Sequence, residues 1–186
     1  IFKTHNIQKF RAKQLIDYIY HRYVFDFQDM TQFPKELRQW LSDNCIISLP
    51  TLITESVSPD GKTRKILVEM IDQSRVEAVL MEQHYGYSVC VSSQVGCAMG
   101  CVFCASTQGG LYRDLTVSEI IGQVVIFGAL TKEQIHSVVV MGAGEPLQNY
   151  DNVLQSLQLL HDPMICNISY RKMTISTCGW VPNIYK

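Results

Sequence analysis

Three cysteines stand close together in Cys97-Ala98-Met99-Gly100-Cys101-Val102-Phe103-Cys104, a C-x3-C-x2-C pattern flanked by Gly96. Thiolates are the ligands of iron–sulfur clusters. Three of them, on a loop that Gly96 and Gly100 allow to turn tightly, can hold three irons of a four-iron cube and leave the fourth iron open to a substrate. The competing chemistry is a structural zinc site. Zinc asks for four closed ligands, usually from two paired Cys or His units, and only Cys90 is near enough in sequence to supply a fourth. The chain has seven cysteines and no secretory leader, a pattern that favours thiols for metal or catalysis in a reducing compartment over a disulfide scaffold.

The elements that must carry this loop can be read from periodicity. Ala12, Leu15, Ile16, Ile19, Tyr20 and Tyr23 recur at helical spacing, predicting an amphipathic helix over 8–23. A second helix is expected over 34–41, with Pro34 in its first turn. The segments 51–58, 64–70 and 75–82 are rich in β-branched residues and separated by Pro59-Asp60-Gly61 and Asp72-Gln73-Ser74, so they read as strand, turn, strand, turn, strand. From Val89 the pattern alternates. A short strand over 89–91 precedes the cysteine loop, and Thr116 with Glu119 forms a capping box for a helix. A buried strand is expected over 137–141, a helix over 151–161 and a strand over 173–177. Strands alternating with helices imply a parallel sheet. A closed eight-stranded barrel takes about 250 residues, so the expected fold is α/β, a partial parallel (βα) barrel. The expected divisions are a helical accessory module over 1–45, an antiparallel β segment over 46–87 and the first half of the barrel over 88–186.

Composition excludes little else. Apolar residues make up 47% and charged residues 18%, the balance of a globular protein with a core. No apolar run approaches the roughly 20 residues of a membrane-spanning helix. A net charge of −1 gives no general attraction to phosphates. Nucleic-acid contacts would have to come from local clusters such as Lys9, Arg11 and Lys13, or Lys62, Arg64 and Lys65. The chain opens at Ile1 without an initiator Met and is expected to be part of a longer one.

The cysteine loop, with an aromatic before its last Cys, resembles the radical-SAM superfamily. The strings Cys90-Val91-Ser92-Ser93-Gln94-Val95-Gly96-Cys97, Met141-Gly142-Ala143-Gly144-Glu145-Pro146-Leu147 and Thr174-Ile175-Ser176-Thr177 are similar to one branch of it, the RNA adenine methyltransferases of the RlmN and Cfr type. The likeness covers nearly the whole chain. It departs from the pattern at Ala143, where that branch usually has Met.

The resemblance implies a [4Fe–4S] cluster on Cys97, Cys101 and Cys104, with S-adenosylmethionine chelating the open iron. It implies that Gly144, Glu145, Ser176 and Phe103 bind that cofactor, Glu145 through the cofactor's ammonium and Phe103 beside its adenine, core packing being the alternative for Phe103. It implies two catalytic cysteines. One, beyond Lys186, carries a methyl group that is activated by a cofactor-derived radical and added to adenine. The other, Cys90, resolves the resulting protein–RNA adduct by forming a disulfide with it. Glu77 would aid proton removal. Cys45, Cys166, Cys178 and the five histidines are read as structural. The implied partners are 23S ribosomal RNA, transfer RNA or both, and an electron donor, with the protein a cytoplasmic monomer. Val95 and Gly144-Glu145-Pro146 favour methylation at adenine carbon 2 over carbon 8, the branch linked to antibiotic resistance. Two other readings are a zinc-dependent RNA-binding module and a glycyl-radical activase. The activase would lack Cys90 and the N-terminal helices.

Overall fold

The computed structural model describes residues 7–186. Residues 1–6, the start of the expected accessory module, lie outside the described residues. Helices α1 (Lys9–Tyr20) and α2 (Lys35–Asn44), joined through a 3-10 turn at Phe27–Asp29, close on a small core of their own. Tyr18, Phe27, Met30, Phe33 and Leu41 fill it, with Tyr18 and Phe33 edge to face at 5.6 Å. The first helix is shorter than its apolar spacing predicts. Tyr23 takes a left-handed φ of 55°, which turns the chain so that its hydroxyl packs against Gly128.

The rest of the chain is built on one six-stranded sheet in the order β1-β2-β3-β4-β7-β8. Strands β1 (Thr51–Val57), β2 (Thr63–Glu69), β3 (Arg75–Gln83) and β4 (Gly86–Val91) are antiparallel neighbours. A two-stranded ribbon, β5 (Gln94–Gly96) with β6 (Leu111–Asp114), follows and is separate from the main sheet. Next come α3 (Val117–Thr131), β7 (Ile135–Val140), α4 (Tyr150–His161), β8 (Met173–Ile175) and the short α5 (Val181–Ile184). β4 is the pivot of the fold: it pairs antiparallel with β3 and parallel with β7, which pairs parallel with β8. The expected α/β partial barrel is therefore present, and its antiparallel segment belongs to the same sheet. β4 starts three residues earlier than its sequence predicts, because the turn at His84-Tyr85 makes β3 and β4 a hairpin.

The two faces of this sheet differ. Val89, Val91, Val138 and Val140 are buried and share the main core with Ile120, Val124 and Phe127 of α3 and Val153, Leu157 and Leu160 of α4. Helix α3 is buried along almost its whole length, from Glu119 to Gly128. On the face away from the helices, register aligns Val79, Cys90, Val139 and Thr174 in one row across four strands. Among the described residues no helix is long and apolar enough to cross a membrane.

Candidate functional site

The ends of β4, β7 and β8 that point the same way carry the three loops singled out in the sequence. The first is tied at its root by the β5–β6 ribbon, where the Cys97 amide donates to the Gly110 carbonyl at 3.1 Å. Gly96 has a φ of 75°, and a Cβ there would lie 2.0 Å from that same carbonyl oxygen, so only glycine fits. Gly100 also has a positive φ, and its amide donates to Thr107 Oγ1 at 2.9 Å while that hydroxyl donates to the Cys97 carbonyl at 3.3 Å. The Cys104 amide donates to the Cys101 carbonyl. Cys97 is buried and Cys101 and Cys104 half-buried. The tip is bare: Phe103 is 90% exposed, so core packing does not explain it.

All seven cysteines are free thiols, and the disulfide implied for Cys90 is not formed. No three His, Cys, Asp or Glu side chains among the described residues are drawn together as ligands of one ion. A zinc site would need that convergence. A four-iron cube takes its thiolates at separate corners, so three spaced thiols on a pre-bent loop fit a cluster.

The second loop follows β7. Gly144 has a φ of 105°, and a Cβ on it would come within 2.6 Å of the Gln94 side chain. Gly142 is equally confined, against Ser92. What confines them is a buried polar knot around Ser92-Ser93-Gln94. The Ser92 amide donates to Gln123 Oε1 at 2.8 Å, and Gln123 Nε2 returns a bond to the Ser92 carbonyl at 3.0 Å. Ser92 Oγ donates to the Glu77 carbonyl and accepts from the Ala143 amide. The amides of Ser93 and Gln94 both donate to the Ala143 carbonyl. Asn149 Nδ2 donates to the Ser93 and Leu115 carbonyls at 2.7 and 2.8 Å. The sequence marks Ser92, Ser93 and Gln94 only as part of a motif. Gln123 and Asn149, lone amides inside helical segments, carry no signal that could have found them.

Glu145 is 2% exposed. Its Oε1 accepts from the Leu147 amide at 2.9 Å and Thr177 Oγ1 at 2.7 Å, and its Oε2 accepts from the Cys178 amide at 2.8 Å. The Cys178 thiol also bonds to it. Burial by itself would raise this carboxyl. The hydrogen bonds from Cys178, Thr177 and Leu147 outweigh it and hold the group below the ordinary glutamate value. The same contact, with burial and the neighbouring Cys101 adding to it, pushes the Cys178 thiol up to about 11. Cys178, read from sequence as structural, thus adjoins both the second loop and a cysteine of the first. Ser176 lies just past the end of β8, exposed, its amide donating to the Val140 carbonyl at 3.3 Å.

Cys90 sits in the row with Val79 and Val139, half-buried. Burial raises its thiol, and a backbone hydrogen bond at Met141 partly offsets this. Glu77 is two residues along β3 from Val79, hence on the same sheet face as Cys90, and Lys65 Nζ sits 2.8 Å from its carboxylate. The turn carrying Lys62 lies at the other end of the sheet, its carbonyl bonded to the Glu82 amide. There Arg64 is paired with Glu55. On α1, Arg11 is bonded to Gln14 and the Gln32 carbonyl. The basic clusters are therefore partly neutralised and do not gather at the cysteine loop.

Residues 91–186, just over half of the chain, match the family model described as the Radical SAM superfamily. The chain belongs to the radical SAM superfamily. As in its other members, a [4Fe–4S] cluster and S-adenosylmethionine are its cofactors. Residues 1–47 match a second model, the Ribosomal RNA large subunit methyltransferase N-terminal domain. A protein of Symbiobacterium thermophilum named "Probable dual-specificity RNA methyltransferase RlmN" is 49% identical over 178 residues, 95% of this chain and 48% of that protein. A protein of the same name from Clostridium perfringens is 46% identical over 98% of this chain and 52% of its own. A crystal structure of a radical SAM methyltransferase from Sphaerobacter thermophilus superposes with a TM-score of 0.91 at 36% identity, covering 98% of this chain and 55% of that one. The radical SAM chain described here spans about half the length of the relatives it matches.

Proposed function

We propose that the protein to which this chain belongs is a radical-SAM RNA methyltransferase of the RlmN branch, acting on carbon 2 of an adenosine in 23S ribosomal RNA and in transfer RNA. The observation that carries this reading is the place of Cys90. A superfamily cluster loop accounts for Cys97, Cys101 and Cys104, but not for a fourth thiol on the sheet face turned away from the helices, one strand end before that loop. Relatives named as RNA methyltransferases match 95–98% of the chain around it.

When bound, the cofactors supply a reducing electron and a methyl group. In this reading Cys97, Cys101 and Cys104 hold the cluster. Gly144 lets the backbone approach the S-adenosylmethionine, Ser176 contacts it from the end of β8, and exposed Phe103 flanks its adenine. Cys90 acts as a thiol nucleophile. Its burial keeps it protonated at neutral pH, so it needs a proton acceptor before it can release a covalently held RNA through a disulfide. Glu77, on the same face, aids proton removal from that adduct. A second reactive cysteine, an electron donor and the cytoplasm complete the reading, with the protein acting as a monomer.

The test is incubation of the full-length protein with 23S RNA and transfer RNA fragments, S-adenosylmethionine and a reductant, followed by mass analysis of released nucleosides. The expected product is 2-methyladenosine. 8-Methyladenosine would assign the other branch, and no methylated adenosine would sink the reading. Cys90→Ala is expected to accumulate a protein–RNA species that wild type does not.

A further inference from the structure

The carboxylate expected to meet the cofactor's ammonium is already engaged. Two oxygens offer about four acceptor positions, and Glu145 fills them with the Leu147 amide, the Thr177 hydroxyl, and the Cys178 amide and thiol. Its own amide donates to Gln94 Oε1 at 2.8 Å, and Gln94 Nε2 donates to Asp114 Oδ1 at 2.7 Å. Gln94 is fully buried. One continuous chain of bonds therefore runs from β6, at the root of the cysteine loop, through Gln94 and Glu145 into the loop after β8. Each of the three loops at this end of the sheet is held by it.

We infer that Glu145 is a positioning residue, which with Gln94 and Thr177 latches the three loops together, and that the ammonium of S-adenosylmethionine is met by acceptors other than the Glu145 carboxylate. A saturated, buried carboxylate gains nothing from a further donor unless an existing one leaves. Thr177 and the Cys178 amide are fixed to the segment that also contains Ser176, so losing the carboxylate frees that segment. The inference rests on the S-adenosylmethionine site described above and goes beyond it by moving Glu145 from ligand to support.

The test uses the full-length, cluster-loaded protein and two probes: S-adenosylmethionine, and its analogue lacking only the α-amino group. Affinity is measured by equilibrium dialysis, and amide exchange over 176–180 is followed without either probe. Glu145→Gln, whose amide nitrogen cannot accept, is expected to weaken both probes by the same factor, about tenfold or more, and to speed exchange at Cys178. Thr177→Val keeps the carboxylate but removes one latch bond. It should show a smaller loss for both probes, and no further loss when added to Glu145→Gln. A loss confined to S-adenosylmethionine, with exchange unchanged, would make the carboxylate the direct acceptor and overturn the inference. Faster exchange with both affinities intact would overturn it too, by leaving the latch without effect on the site. Wild-type protein that binds neither probe would instead fail the cofactor site itself.

Discussion

Gly144 is confined twice over, by a φ of 105° and by the Gln94 side chain where a Cβ would go. Gly144→Ala is therefore expected to cost about 1–3 kcal/mol from the backbone alone, with displacement of Gln94 in addition. Chemical denaturation of the full-length protein measures it, and a wild-type midpoint would show that the loop is slack. Glu145 gives a pH-dependent expectation. Its folded-state pKa lies below the ordinary value near 4.5. Its ionised form therefore contributes stability that is fully present above 4.5 and is lost as pH falls through the folded value. Melting temperature followed from pH 7 downward should fall more steeply below about 4.5 in wild type than in Glu145→Gln, which has no charge to lose. Parallel curves would mean that the carboxylate is equally stable in the unfolded chain.

Among the elements, α3 bears most of the constraint. Thr116 and Glu119 cap it reciprocally, and Arg113 holds both Glu119 and Asp72 of the β2–β3 turn. The capping box is plain in the sequence because it is local: two residue types three positions apart. Gln123 is not plain, because its meaning depends on Ser92, which only the folded chain brings beside it. Gln123→Leu would orphan the Ser92 amide and carbonyl in the core, at about 1–3 kcal/mol for each group left unpaired. Thr116→Ala should cost about 1 kcal/mol. Denaturation curves of the two variants should rank them in that order, and the reverse order would mean that water reaches Ser92. The same contrast explains what was legible. Strand and helix periods mark the alternating elements, and glycine–cysteine spacing marks the metal loop. The β5–β6 ribbon escaped because its strands are three and four residues long, too short for a period to show. Cys178 escaped because nothing near it in sequence announces a partner 33 residues away.

For the whole molecule, the continuous sheet matters most. It has a face packed under α3 and α4 and another carrying Cys90, and β8 has a partner on one side only among the described residues. An unpaired parallel edge beside half-exposed apolar residues is a template for association. A polypeptide ending at Lys186 is expected to self-associate in light scattering, whereas one extended to the full length of its relatives should not. Equal behaviour of the two would mean that this face needs no cover. The sheet also separates its turns: the Lys62 turn lies at the opposite end of the strands from the cysteine loop. Reversing charge at Lys62 should therefore leave cluster content unchanged, whatever it does to RNA affinity.

Ala143 shows how a motif can drift without decay. Its carbonyl receives Ser93 and Gln94, and its amide serves Ser92. These are duties of the main chain, which a methyl group or a longer thioether side chain performs equally well. The departure from the usual Met is thus neutral variation at a position where selection acts on the backbone. Only proline, which has no amide hydrogen, should be barred there by the knot itself, while Gly142 and Gly144 on either side have no comparable freedom.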